Sequence, residues 1–241
     1  MKKLTGGNSN DVYQDGSSVI RRTSGPFVHH LLRYLTAQGF TESPVLLEAS
    51  EQQERLTFLE GEVGNDPLKP YMQSDTILVE AARLLRRFHD ITRPMVIPPG
   101  SSFQLPPQTE HEVICHNDFA PYNLVFRDEH LVGIIDFDLA GPGTRLWDMA
   151  YAVYRFAPLS HDAHCRDLGW EPIPDKQRRL SLFCDAYGLQ NREALISTVI
   201  KRLEFLVQYM QDTGSNLDHL PVYLQDLAYI RHTFTADHPS Q

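Results

Sequence analysis

The sequence predicts an α+β protein in two lobes: a small antiparallel sheet with one helix over residues 1–60, and a larger, mainly helical region over residues 61–241. Three observations carry that reading. Short apolar runs bounded by turn residues fill the first part of the chain. Apolar positions at helical spacing dominate the second part. Between the helical patterns lies a compact strand–loop–strand stretch, Val113 to Asp138, that concentrates polar side chains at one end.

In chain order, Gly6 to Asp11 is turn-rich and leads into Val12-Tyr13, Asp15-Gly16 signals a hairpin, and Ser18-Val19-Ile20-Arg21 is the returning strand. Pro26 to Gln38 reads as a helix with Phe27, Leu31, Leu32 and Leu35 on one face and Gly39 as its stop. It contains no acidic residue, and its adjacent His29 and His30 read as packed or solvated. Val45-Leu46-Leu47 and Arg55 to Leu59 are two further strands joined by an acidic turn from Glu48 to Glu54, after which Glu60-Gly61 marks a hinge. Ser74 or Asp75 caps a long helix that buries Ile77, Leu78, Ala81, Leu84, Leu85 and Phe88.

Pro94 to Pro107 holds five prolines and is an irregular connector. Val113-Ile114-Cys115, Leu124-Val125-Phe126 and Leu131 to Ile135 are short strands, the last two joined by the polar hairpin Arg127 to His130. Four helical patterns follow: Trp147 to Phe156 with Asp148 at its start, Arg178 to Tyr187, Arg192 to Gln211, and Pro221 to Phe234. His161-x-x-His164-Cys165 between them reads as a polar loop rather than a metal site, because no fourth partner lies at zinc-finger spacing.

Composition narrows the function. The chain is 41% hydrophobic and 22% charged, with a net charge of -9, which argues against a protein that tracks nucleic-acid phosphates. Its three cysteines, Cys115, Cys165 and Cys184, make neither a set of pairs nor a C-x-x-C motif, as expected in a reducing cytoplasm. Met-Lys-Lys at the start is not followed by an apolar segment, and no run reaches the length of a membrane span. The expectation is a soluble cytoplasmic protein without a nucleic-acid or membrane partner; nothing in the sequence specifies an oligomeric state.

The chemistry concentrates in His116-Asn117-Asp118-Phe119-Ala120-Pro121-Tyr122-Asn123 and Ile134-Ile135-Asp136-Phe137-Asp138. Phosphoryl transfer from a metal-bound nucleotide needs one carboxylate to accept a hydroxyl proton, and an Asn and a second carboxylate to hold metal. The spacing His116-x-Asp118-x-x-x-x-Asn123 is that of a kinase catalytic loop, and Asp136-Phe137-Asp138 stands where protein kinases have Asp-Phe-Gly. The missing Gly, Pro121 within the loop and the lack of an Ala-Pro-Glu segment separate the chain from protein kinases.

These segments resemble the aminoglycoside phosphotransferase and choline kinase superfamily, most densely from Ile114 to Tyr154 and more thinly from Gly6 to Arg22. The resemblance implies a protein-kinase-like fold and a small-molecule kinase that uses Mg2+ and ATP, or GTP, on a small hydroxylated substrate. It implies that Asp118 is the catalytic carboxylate and that Asn123 and Asp136 hold the metal. Asp138 either supports the metal shell or faces the acceptor, His116 orients the loop, and Asp148 braces it or caps its own helix. For the nucleotide, it implies that Ser9 and Asn10 reach the phosphates from the first hairpin. Phe58, Leu59 and Gly61 would offer backbone groups to the purine, and Arg21 would replace the usual phosphate-binding Lys.

Arg in place of Lys is the main departure from the family pattern, because a planar fork replaces a point charge. The helix at Pro26 also lacks the Glu that pairs with this cation in protein kinases, leaving Glu42 and Glu48 as candidates. The acceptor stays open. Glu171, Asp175, Asp185, Asp212, Asp218 and Asp226 suit an aminoglycoside, whereas Trp170, Tyr187, Tyr209, Tyr223 and Tyr229 suit the aromatic cage of a choline kinase. The alternative from another class is a non-catalytic immunity protein that keeps the fold and sequesters a toxin or antibiotic.

Overall fold

A computed structural model describes residues 1–4 and 12–235 and has the expected α+β, protein-kinase-like architecture. The first strands are β1 (Lys2–Lys3), β2 (Tyr13–Asp15) and β3 (Ser18–Arg22), followed by helix α1 (Pro26–Ala37), then β4 (Leu46–Ala49) and β5 (Gln53–Thr57). They form one antiparallel sheet in the order β1-β2-β3-β5-β4. Gly16, with φ +60°, turns β2 into β3, as the Asp-Gly signal requires.

The expected acidic turn between β4 and β5 is shorter than the sequence suggested. Glu48 lies in β4 and Glu54 in β5, so only Ser50, Glu51 and Gln52 make the turn. The alternation of β5 then puts Glu54 on the same buried face as Leu56.

Strand β6 (Glu62–Val63) pairs with β8 (Leu124–Arg127), which pairs with β9 (His130–Ile134). Before β8 run helix α2 (Asp75–Thr92) and strand β7 (Val113–Cys115); after β9, β10 (Gly141–Gly143) pairs back on β7. Asp128 and Glu129 both have positive φ, +52° and +62°, which gives the β8–β9 hairpin the tight primed turn that matches strand twist. Ser74 Oγ accepts from the Ile77 amide and caps α2.

Four of the remaining helices follow the sequence pattern with ends moved by a few residues: α3 (Arg145–Phe156), α5 (Lys176–Tyr187), α6 (Leu195–Thr213) and α7 (Leu220–Thr235). Between α3 and α5 lies α4 (Asp162–Asp167), where a polar loop was expected. His161 makes this helix possible, because its Nδ1 accepts from the His164 amide as a cap. Such a cap escapes a search for Ser, Thr, Asp or Asn.

The described chain divides into two compact units. One comprises residues 1–65 and 87–144, the other residues 66–86 and 145–241. In the first, Leu31, Leu32, Leu35, Phe88, Phe119 and Phe126 are buried. In the second, α3 packs on α6, and α6 on α7. There the buried Arg202 guanidinium lies over the rings of Trp147, Tyr151 and Phe205. Among the described residues no helix is long and apolar enough to cross a membrane.

Gly64 sets a close approach that the loop before β8 depends on. Its amide donates to Pro121 O at 3.0 Å, and an added Cβ would stand 2.7 Å from that oxygen. Gly64→Ala is therefore expected to lower stability by about 1–3 kcal/mol, the usual cost of overpacking. Urea unfolding measures this; an unchanged midpoint would mean that the loop yields freely.

Candidate active site

The site residues of the first unit come from β3, β5, the loop between β7 and β8, and the turn after β9. His116 is fully buried and ties the last two together. Its Nε2 lies 3.0 Å from Ile135 O, and its Nδ1 accepts from the Asp118 amide at 3.3 Å. Those partners place a ring proton on Nε2 and leave Nδ1 as the acceptor. The ring also packs against Phe119 and Phe137. Further bonds tie the two segments: Asn117 Nδ2 to Leu139 O at 2.9 Å and the Ile135 amide to Asn123 O at 2.9 Å.

Two non-glycine residues here are left-handed, Asn117 at φ +65° and Asp136 at φ +63°. Asn and Asp tolerate this region best among side-chain-bearing residues, and such conformations gather where geometry is dictated by function. The same bonds that hold His116 and Asn117 hold this backbone in place.

Two neighbouring side chains hold the Asp118 carboxylate. Tyr122 Oη donates to its Oδ1 at 2.6 Å, and Asn123 Nδ2 donates both to its Oδ2 and to its backbone oxygen at 2.9 Å. Burial raises its pKa above the ordinary Asp value, the Tyr122 and Asn123 hydrogen bonds pull it back down, and the nearby charge of Asp136 adds to the rise. Asn123 spends its amide NH2 on Asp118, and its Oδ1 takes no part in those bonds.

Arg21 reaches this site from β3, whereas Arg22 is exposed. Its Nη1 lies 3.2 Å from Asp136 Oδ1, its Nη2 pairs with Asp138, and its Nε lies 2.9 Å from Glu54 Oε1. Burial would lower the guanidinium pKa, but the charges of Asp138, Asp136 and Glu54 outweigh it and raise the value. The sequence reading missed Glu54. Glu42 instead pairs with Arg87, and Glu48 lies beside Arg55. The signal was present in the alternation of Glu54 with Leu56, hidden because the Glu48–Glu54 run resembled a solvated turn.

Three carboxylates around one guanidinium leave two negative charges unbalanced, and the Asp136 side chain is 43% exposed. With the Asn123 Oδ1, this is an all-oxygen donor set with the charge deficit a hard divalent cation satisfies, so the residues fit Mg2+. Among the described residues, no group of three or more His, Cys, Asp and Glu is arranged as a metal centre.

The nucleotide candidates are less uniform. Ser9 and Asn10 lie outside the described residues. The Phe58 amide donates to Ser17 O at 2.8 Å and is spent on the sheet. Gly61, at φ +148°, packs so closely that a Cβ would stand 2.4 Å from Phe126 O. Leu59 lies against Gly133.

In the second unit the acceptor candidates are largely engaged. Asp226 is fully buried and accepts from Tyr154 Oη at 2.6 Å and the His161 amide at 2.9 Å, with His164 Nδ1 at 2.6 Å. Asp175 caps α5, Asp185 pairs with Arg192, and Asp212 bonds Gln208. Trp170 is buried beneath Arg179, and Tyr187 beneath Arg86. These are core and capping residues, not a carboxylate-lined groove or an aromatic cage.

The fold and the loop chemistry together define a kinase-like phosphotransferase class, and comparison with known proteins agrees. Residues 102–179 match the model of a phosphotransferase enzyme family. The trifolitoxin immunity protein of Rhizobium leguminosarum bv. trifolii is 32% identical over 200 residues, covering 79% of this chain and 75% of that protein. The chain belongs to the phosphotransferase enzyme family, within the aminoglycoside phosphotransferase and choline kinase superfamily.

Solved structures of similar fold include an amicoumacin kinase in complex with AMP-PNP and Ca2+, at TM-score 0.66 and 12% identity over 96% of this chain and 87% of that one. The gentamicin complex of APH(2'')-IIa has TM-score 0.61 and 14% identity over 94% and 90% of the two chains. An ethanolamine kinase of Plasmodium vivax has TM-score 0.61 and 14% identity over 98% and 82%.

Because His116 is buried, bonded at both ring nitrogens and stacked between loops, His116→Ala should cost about 2–4 kcal/mol. Chemical denaturation would show this as a lowered midpoint; a midpoint within experimental error of the parent would remove His116 as the tie.

Proposed function

We propose that this chain is a small-molecule kinase that transfers the γ-phosphoryl group of a Mg-nucleotide to a hydroxyl acceptor. The observation that carries this reading is the Asp118 carboxylate, held by Tyr122 and Asn123 and shifted upward by burial. A base with a raised pKa takes a proton more readily from a hydroxyl whose oxygen is attacking phosphorus, and its fixed position aims that oxygen. In this reading Asn123 and Asp136 hold the metal, with Asp138 supporting them, and Arg21 faces the phosphates. A divalent metal held by these residues would supply neutralisation of the charge that builds during transfer.

Ser9 and Asn10 are assigned to the phosphates, and the backbone of Leu59 to Gly61 to the purine, with the Phe58 amide excluded by its bond to Ser17. Residues 1–60 would cover the nucleotide, and the chain from residue 61 would supply the catalytic loop, metal ligands and acceptor surface. A cytoplasmic setting is part of this reading. The acceptor is assigned only as a small hydroxylated molecule, because Asp226, Trp170 and Tyr187 are buried in the fold and the remaining acids and tyrosines select neither a polycation nor a quaternary amine.

A second reading is favoured by the similarity to a trifolitoxin immunity protein. Immunity follows either from phosphorylating a toxin or from sequestering it without chemistry. The joint presence of Asp118, Asn123, Asp136 and a buried, charge-paired Arg21 supports the catalytic route, since sequestration needs none of them.

The deciding experiment measures nucleotide diphosphate release with Mg-ATP and Mg-GTP against aminoglycosides, choline, ethanolamine, hydroxy amino acids and hydroxylated peptides. Stimulation by an acceptor is expected, with at least about a hundredfold loss in Asp118→Asn. That variant should also melt no lower than the parent. A carboxylate whose pKa is raised on folding is disfavoured when ionised, so a neutral isostere relieves the cost. Turnover surviving in Asp118→Asn would remove Asp118 as the base.

Tyr122→Phe tests the same group by pH. The Tyr122 hydrogen bond lowers the Asp118 pKa, so its loss raises that pKa and protonates the base at higher pH. The acid limb of the pH–rate profile should move to higher pH. A limb that stays in place or moves down would contradict the assignment.

A further inference from the structure

Helix α1 carries no acid to pair with the cation of β3, yet it contacts the pairing through another residue. His29, buried on the inner face of α1, places its Nε2 2.7 Å from Glu54 Oε2 and 3.2 Å from Thr23 Oγ1. Glu54 is 2% exposed, and groups at both of its oxygens define its orientation. At Oε2 are His29 and the Ser24 amide at 2.9 Å; at Oε1 are Ser24 Oγ at 2.7 Å and Arg21 Nε at 2.9 Å. Ser24 Oγ in turn accepts from Arg21 Nη2. Three hydrogen bonds hold this buried carboxylate in one orientation, and Arg21 lies against it as an ion pair and is joined to it through Ser24 Oγ.

We propose that His29 is a positioning residue for Arg21: α1 aims the guanidinium at Asp136 and Asp138 through His29 and Glu54 rather than through an acid of its own. The proposal rests on the reading of Arg21 as a phosphate-facing cation. The ring nitrogen of His29 occupies the place from which a hydrogen-bond donor fixes Oε2. Without that donor Glu54 can rotate toward other partners, and the guanidinium loses the fork that keeps Nη1 and Nη2 directed at the two aspartates. The helix thereby governs a charge it never touches. The arrangement explains how an Arg serves where a Lys is usual: a planar fork needs one edge held, here Nη2 by Ser24 Oγ with the Glu54 carboxylate behind it, before its nitrogens point in one direction.

Two measurements on the full chain test this. The first is binding of a fluorescent ATP analogue with Mg2+ to the parent, His29→Ala, His29→Gln and Glu54→Gln, each with a thermal melt. His29→Ala should weaken binding about tenfold, the effect of freeing one buried, hydrogen-bonded partner. His29→Gln, whose side-chain NH2 reaches the same place, should restore it to within about threefold. A merely structural histidine would lose stability in both variants without that restoration. His29→Ala in a Glu54→Gln background should add little, because the two act in series; fully additive losses would overturn the proposal. Should His29→Ala fail to fold, His29→Gln against His29→Asn decides, since the shorter amide cannot reach Glu54; equal binding by both overturns it.

The second measurement needs no nucleotide. Exchange of the Arg21 Nη protons with water, followed by NMR on 15N-arginine-labelled protein, should be slow in the parent and His29→Gln and fast in His29→Ala. Unchanged exchange refutes the role of His29 whatever binds the site. Slow exchange in a parent that binds no Mg-nucleotide refutes the kinase reading while leaving the His29–Glu54–Arg21 linkage standing.

Discussion

The Arg21 guanidinium is the constraint around which the site is organised. It reaches from β3 to Glu54 on the neighbouring strand and to Asp136 and Asp138 after β9, so one planar cation joins the sheet to the turn that carries the metal candidates. Placing it there unpaired would be costly. Breaking a buried ion pair typically destabilises by about 3–5 kcal/mol, because a charge is left without water or partner. Glu54 cannot be released cheaply either, since its side chain is wholly buried among donors. The pairing therefore specifies geometry more than it adds stability.

Around this pairing the two polar segments are arranged by different means. The Asp118 loop is held by His116 and Asn117, whose side chains bond backbone oxygens of the second segment, Ile135 O and Leu139 O. Asp136 is positioned by backbone conformation, a left-handed φ that the surrounding bonds stabilise. Asn123 takes part in both arrangements. Its amide NH2 fixes Asp118, while its backbone oxygen accepts from Ile135. A loop so tied can keep a carboxylate partly desolvated, and that desolvation is what raises the Asp118 pKa.

The helical unit follows a plainer logic. Several acids and aromatics that seem suited to substrate recognition are consumed by the fold. Asp226 gathers α3, α4 and α7 around one buried carboxylate, and Arg179 reaches Phe156 O and Gln73 O while covering Trp170. Burial lowers the Arg179 pKa to about 10, the nearby Asp75 charge opposing the fall. Residue type alone does not separate a capping Asp such as Asp175 from a substrate-binding one, because both are acids near helix ends.

The sequence by itself determined the fold class and the hairpin turns, and it singled out Asp118, Asn123 and Asp136 as candidates. Those depend on local spacing: strand alternation, turn chemistry and a loop motif are read within a few residues. The sequence favoured Arg21 over Arg22 only by the likeness of Val-Ile-Arg to a kinase strand, and the fold placed Arg21 beside Asp136 and Asp138 with Arg22 exposed. Tertiary structure alone decided the partners. Glu54 is far from Arg21 in sequence and becomes its counter-ion only because β3 and β5 are adjacent in the sheet. His29 looked like one of two interchangeable histidines until packing buried it against Glu54, while the amide of Phe58 was claimed by Ser17. Motifs are local, whereas charge pairing and desolvation depend on which distant segments the fold brings into contact.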